Sequence, residues 1–128
     1  MSDHITVTTG IYDAIKDHIR RKKVSADEEV RLAAELRGAT QVLRRDLPED
    51  VVTVDRIVTL KDHTQKTENV YIFVASTKAK LKKNKHSILS DIALSVVGYK
   101  VGDIIKWPFR DGERKIEILK VEPWINQA

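Results

Sequence analysis

The chain has 128 residues, 41% of them hydrophobic and 33% charged, which is enough apolar material for one real core and excludes two large domains. A formal net charge of +4 is mildly basic, well short of the dense positive charge that coats nucleic acid by bulk attraction. Cysteine is absent, which excludes disulfide and thiolate chemistry. The opening residues MSDHITVTTG carry neither a basic nor an apolar leader segment, and no apolar run approaches the roughly 18 residues of a membrane span, so a cytoplasmic location and no membrane partner are expected.

After Thr9, Ile11, Ile15, His18 or Ile19, and Lys22 recur on one face, which predicts an amphipathic helix of about four turns. Ser25 followed three residues later by Glu28 is a capping-box pattern, and Asp27 and Glu29 put further negative charge at the positive end of the helix dipole. Leu32, Leu36, Ala39 and Leu43 then alternate steps of four and three, the seam of a coiled coil, with Gly38 read as lying inside this second helix. Residues 9–46 are thus expected to form an antiparallel helical hairpin, a short coiled coil, ended by Asp46-Leu47-Pro48 because the residue before proline is pushed out of the helical region. This places a boundary between a helical unit, residues 1–46, and a second unit, residues 47–128.

In the second unit Val52, Val54, Val58 and Leu60 alternate while Val51 and Ile57 fall out of phase, which predicts a bent or bulged strand over 51–60. A polar loop at 61–68 leads to Val70-Tyr71-Ile72-Phe73-Val74-Ala75, read as a central strand covered on both faces. The segment from Lys78 to Lys85 holds five lysines and no acid. Ser90 then caps a short apolar helix built on Ile92, Ala93, Leu94, Val96 and Val97, Gly98 closes it, and Gly102-Asp103 is a second turn. Strands follow at about 103–109 and 114–122, with Asp111-Gly112 as the hairpin signal between them. The expected class is α+β: a sheet wrapped around one short helix, with a helical hairpin attached.

The stretch from Ser90 to Asp103 resembles the C-terminal domain of bacterial Gre transcript-cleavage factors. Ser90, Ile92, Val96, Val97, Gly98, Val101, Gly102 and Asp103 keep that pattern, whereas Asp91, Ala93 and Ser95 stand where proline, glycine and alanine are usual. Leu47-Pro48-Glu49-Asp50-Val51-Val52-Thr53-Val54, with Val101-Gly102-Asp103 followed by Trp107, is similar to the Rnk subgroup of this Gre/Rnk family. The resemblance covers the chain from Leu32 onward.

That resemblance implies an FKBP-like antiparallel sheet and a protein that binds bacterial RNA polymerase. The C-terminal domain would dock at the mouth of the secondary channel, through the region of Ser90, Asp91, Gly98, Val101, Gly102 and Asp103, while the hairpin points inward. In Gre factors acidic tip residues help the polymerase hold a catalytic magnesium, and Asp27, Glu28 and Glu29 are the matching candidates here. Acids at a helix start more often serve as caps, and an arm of 15–20 residues reaches only roughly 25–30 Å. The favoured expectation is therefore a non-catalytic regulator that competes with longer-armed factors, against a cleavage-stimulating factor or a nucleic-acid-binding module. Basic contacts are offered by Arg20, Arg21, Lys22 and Lys23 near the tip and by Lys78, Lys80, Lys82 and Lys83, where a solvated loop is the competing explanation. His4, His18, His63 and His86 share no ligand spacing, so neither a metal nor another cofactor is expected.

Overall fold

A computed structural model of the chain describes residues 4–125. The chain enters on a short strand, β1 (Thr6–Thr8), whose last hydroxyl caps the first helix by accepting the Ile11 amide at 3.4 Å. Helix α1 (Thr9–Arg20) buries Ile11 and Ile15. Lys22 then takes a left-handed φ of +57°, and Ser25 opens helix α2 (Ala26–Arg37) with the expected capping box. The Glu28 amide donates to Ser25 Oγ at 3.2 Å and the Ser25 amide to Glu28 Oε1 at 3.1 Å.

The second helix is shorter than its seam pattern predicted. Gly38 is its C-cap rather than an interior residue, and Thr40–Val42 form a strand, β2, inside the range expected to be helical. Glycine is a poor helix former, and from Thr40 the chain finds better partners by pairing in parallel with β1, Thr6 opposite Thr40 and Thr8 opposite Val42. Leu43, read as the last seam residue, is exposed, and a 3-10 turn at Arg44–Asp46 leads to the buried Leu47.

Beyond Pro48 the main sheet consists of β3 (Arg56–Asp62), β4 (Thr67–Val74), β5 (Lys85–Ser87), β6 (Ile104–Phe109) and β7 (Gly112–Pro123), in the order β5-β4-β3-β7-β6. All neighbours are antiparallel except β5 with β4. The expected strand over 51–60 is broken. Asp55 takes a left-handed φ of +61°, regular pairing begins at Arg56, and a bulge follows at Thr59/Leu60 opposite β7. Residues 51–52 pair instead with the far side of the short helix, the Val52 amide donating to Tyr99 O at 2.8 Å. Buried Arg56 fastens this detour by donating to Pro48 O at 2.7 Å and Val51 O at 2.5 Å.

Strand β4 also departs from expectation. Phe73 and Val74 are buried, yet Val70 is 50% exposed and Tyr71 and Ile72 are only partly covered, so full burial is confined to the end of the strand.

The inner face buries Val58, Leu60, Phe73, Ile105, Trp107, Phe109, Ile116 and Ile118 around a six-residue helix, α3 (Asp91–Val96). Ile5, Val7, Ile11, Ile15, Leu32 and Leu36 belong to the same cluster. The change from helix to strand thus comes at Gly38 and not at Leu47-Pro48, and the packing runs across that expected boundary.

Candidate functional site

Helix α3 begins as its sequence predicts: Ser90 Oγ accepts the Ala93 amide at 3.4 Å, and Asp91 stands exposed in the first turn. At the other end Gly98 has φ +85° and Gly102 φ +94°. Gly98 is wedged between segments, its amide donating to Val52 O at 3.0 Å and its carbonyl accepting the Thr6 amide at 3.1 Å. The Gly102 amide donates to Ile118 O at 2.9 Å, and Asp103 closes its turn by accepting the Lys100 amide on Oδ2 at 3.0 Å. Val101 and Gly102 are exposed. Four of the six residues implied in docking thus separate into two groups. Ser90 and Asp91 line a groove with Phe109, Arg110 and Arg114, whereas Gly98 and Asp103 line another with Asp50 and Lys100.

The three candidate acids are not equivalent. Asp27 is exposed, and Glu29 is partly covered, with Lys22 Nζ 3.6 Å from its carboxylate. Glu28 is 0% exposed, and both of its oxygens are engaged: Oε1 holds the Ser25 amide and Oε2 accepts the indole N–H of Trp107 at 3.2 Å. One turn from the other end of α2, buried Glu35 accepts the Tyr99 hydroxyl at 2.5 Å and lies 3.4 Å from Arg31 Nε. Burial first, and then the Glu35 carboxylate, push the Tyr99 phenol far above its ordinary range, so it stays protonated as the donor. Arg31 completes the attachment, donating to Lys106 O at 2.6 Å with its guanidinium 5.5 Å from the Trp107 ring centroid.

Helix α2 is thereby fixed to β6 through Glu28 and Arg31 and to the turn after α3 through Glu35. Twelve residues span about 18 Å, less than the reach expected of the arm. Sequence reasoning missed Arg31, Glu35, Tyr99 and Trp107. One signal was available: Glu28, Leu32 and Glu35 follow i, i+4, i+7 spacing, and an acid on the apolar stripe of a helix needs a buried donor.

The tip cations are largely spoken for. Arg20 and Arg21 both pair with Asp17, whose carboxyl is held below its usual range chiefly by the Arg20 hydrogen bond, and Lys22 faces Glu29. Lys23 is exposed, as are Lys78, Lys80, Lys82 and Lys83. Among the described residues no three His, Asp or Glu side chains come together as a metal site.

His18 lies in the last turn of α1. Its imidazole is held below the ordinary histidine value mainly by burial and then by Lys23, with Asp91 and Glu28 opposing. His86 is lowered in the same direction by burial. For both, the unfolded chain takes up its proton first as pH falls, so their contribution is complete above an unfolded value of about 6.5 and is lost on acidification through it. Thermal melting should therefore fall between pH 7.5 and pH 5.5, and His18→Asn with His86→Asn should flatten that fall. An unchanged slope in the double variant would exclude this origin.

A family model described as the C-terminal region of transcription elongation factor GreA/GreB matches residues 47–123. Transcription elongation factor GreA of Clostridium botulinum (strain Langeland) is 39% identical over 92 residues, 72% of this chain and 58% of the relative. GreA of Clostridium kluyveri (strain ATCC 8527) is 35% identical over the same shares. The chain thus spans little more than half the length of these relatives. Among solved structures, a GreA/GreB factor from Nitrosomonas europaea superposes with a TM-score of 0.64 at 24% identity, over 93% of this chain and 98% of that one, which is a likeness of fold.

Proposed function

Because the chain belongs to the GreA/GreB transcription elongation factor family, matched over residues 47–123, we propose that it is an RNA polymerase-binding regulator of the Gre/Rnk type and not itself an enzyme. It acts in the cytoplasm, docks at the polymerase secondary channel through its C-terminal region, including the turns around Ser90, Asp91, Gly98, Val101, Gly102 and Asp103, and competes there with cleavage factors. Residues 1–46, with their two helices, add to that affinity. They do not deliver carboxylates to the catalytic magnesium.

The observation that carries this reading is the burial of Glu28, whose two oxygens already serve Ser25 and Trp107. A magnesium site would have to withdraw it from both partners. Asp27 and Glu29 are left, at the start of a helix fastened to β6 by Arg31 and to the turn after α3 by Glu35. Asp27 is exposed, which favours the second reading, a factor that stimulates cleavage by the polymerase.

A backtracked elongation complex separates the two. The expected result is binding without cleavage above the intrinsic rate, and inhibition of GreA-stimulated cleavage that weakens as GreA is raised. Stimulated cleavage that disappears in the Asp27→Ala/Glu29→Ala double variant would establish the second reading instead. Absence of any competition with GreA would remove the shared docking site.

A further inference from the structure

From the loop between β4 and β5 we infer a sequence-independent contact for nucleic-acid phosphates, a role that does not depend on polymerase binding. Residues 75–90 contain no acid, although the chain as a whole carries 19 acids against 23 lysines and arginines. Within them stand Lys78, Lys80, Lys82, Lys83 and Lys85. None of the five takes part in an ion pair among the described residues.

The loop is braced rather than slack. Two single 3-10 turns, Ser76–Lys78 and Leu81–Lys83, are followed by Asn84, whose left-handed φ of +57° turns the chain and whose side-chain amide donates to Val70 O at 2.8 Å. The Lys80 amide donates to Lys85 O at 2.8 Å and the Lys85 amide to Lys80 O at 3.1 Å. This reciprocal pair sets two lysines directly opposite one another, an arrangement that destabilises a sheet in isolation. A braced loop that carries these lysines with no acid among residues 75–90 suits a polyanion as its counter-charge.

The chemistry of the cations narrows its kind. Lysine is a hydrated point charge suited to phosphate oxygens and lacks the planar fork with which arginine reads base edges, and the loop has no arginine. Beside it Lys85 Nζ lies 4.8 Å from the ring centroid of Trp124, a partly exposed indole able to stack on an unpaired base. Leu81, 74% exposed, is a single apolar side chain, too little for insertion into a bilayer.

Fluorescence anisotropy of the full chain with a labelled 20-nucleotide single-stranded RNA, its DNA counterpart and a DNA duplex tests this assignment. With about four phosphates neutralised, affinity for the duplex should fall on the order of 100-fold between 50 and 200 mM salt. Replacing Lys78, Lys80, Lys82 and Lys83 by glutamine should weaken binding at least about tenfold at 50 mM salt and remove most of that salt dependence. Replacing Arg20, Arg21 and Lys23 by glutamine should leave both nearly unchanged. An unaltered quadruple variant with an unaltered melting curve, or an equal loss in the control variant, would overturn the assignment. So would binding to phosphatidylserine vesicles without binding to nucleic acid, or competition by polyglutamate as strong as by RNA at equal charge.

Discussion

Replacing Gly98 by alanine should lower folding stability by about 3 kcal/mol, a combination of about 1 kcal/mol or more for a left-handed residue with a side chain and about 1–3 kcal/mol for overpacking. A Cβ at this position would meet Ile5 Cβ at 2.6 Å and Val7 Cγ1 at 3.0 Å, and the backbone there has φ +85°. Ile5 Cβ sits at the root of its side chain and cannot swing aside as a chain end would, so relief requires moving β1 itself. β1 is held by the Thr6 amide on Gly98 O and by its pairing with β2, and Ile5 and Val7 are both buried. The strain therefore spreads into the contact between the N-terminal segment and α3. Gly102→Ala is the matched control, with a similar φ of +94° and nothing within 4 Å of its Cβ, so it should cost only about 1 kcal/mol. In thermal melting the Gly98 variant should drop by about 10 °C, two to three times the drop of its control. Equal drops in the two variants would mean that backbone strain alone matters and that β1 yields freely.

The features legible in the sequence are those written in local chemistry. Ser25 with Glu28, Ser90 before α3 and the two glycines with positive φ each involve residues within a turn of one another and are found as expected, and the hairpin signalled by Asp111-Gly112 forms with its turn one residue earlier, at Arg110-Asp111. The features missed depend on distant partners. Thr40–Val42 leave the helix to pair with Thr6–Thr8, a match no short window contains. The apolar run in β4 looks the same whether all or only one end of it is covered, and only the elements packed against each end decide it. The candidate site suffered most from this. Glu28 was legible as a cap but not as an acceptor for Trp107, 79 residues away, and Glu35 went unnoticed because Tyr99 is 64 residues away. Their place on the apolar stripe with Leu32 signals a buried donor without saying which residue supplies it.

Glu28 is where the structural and catalytic readings of the tip acids diverge in measurable terms. Glu28→Ala should destabilise the fold by about 3 kcal/mol: about 1 kcal/mol from the lost capping box, and about 1–3 kcal/mol from leaving the Trp107 indole N–H buried without an acceptor. Glu28→Gln should cost about 1–2 kcal/mol, since one amide oxygen cannot replace two carboxylate oxygens facing two donors. Asp27→Ala and Glu29→Ala, at exposed or partly covered positions, should each stay within about 0.5 kcal/mol. A double-mutant cycle locates the cause. Once Trp107→Phe has removed the donor, Glu28→Ala strands nothing, so the pair should show a coupling of about 1 kcal/mol or more. A purely catalytic tip predicts the reverse pattern: three acids nearly neutral in chemical denaturation, no coupling between Glu28 and Trp107, and loss of polymerase cleavage on replacing any of them. Should Glu28→Ala melt like the parent chain, the attachment of α2 through Trp107 would lose its energetic basis, and an arm free to enter the channel would regain its place as the working model.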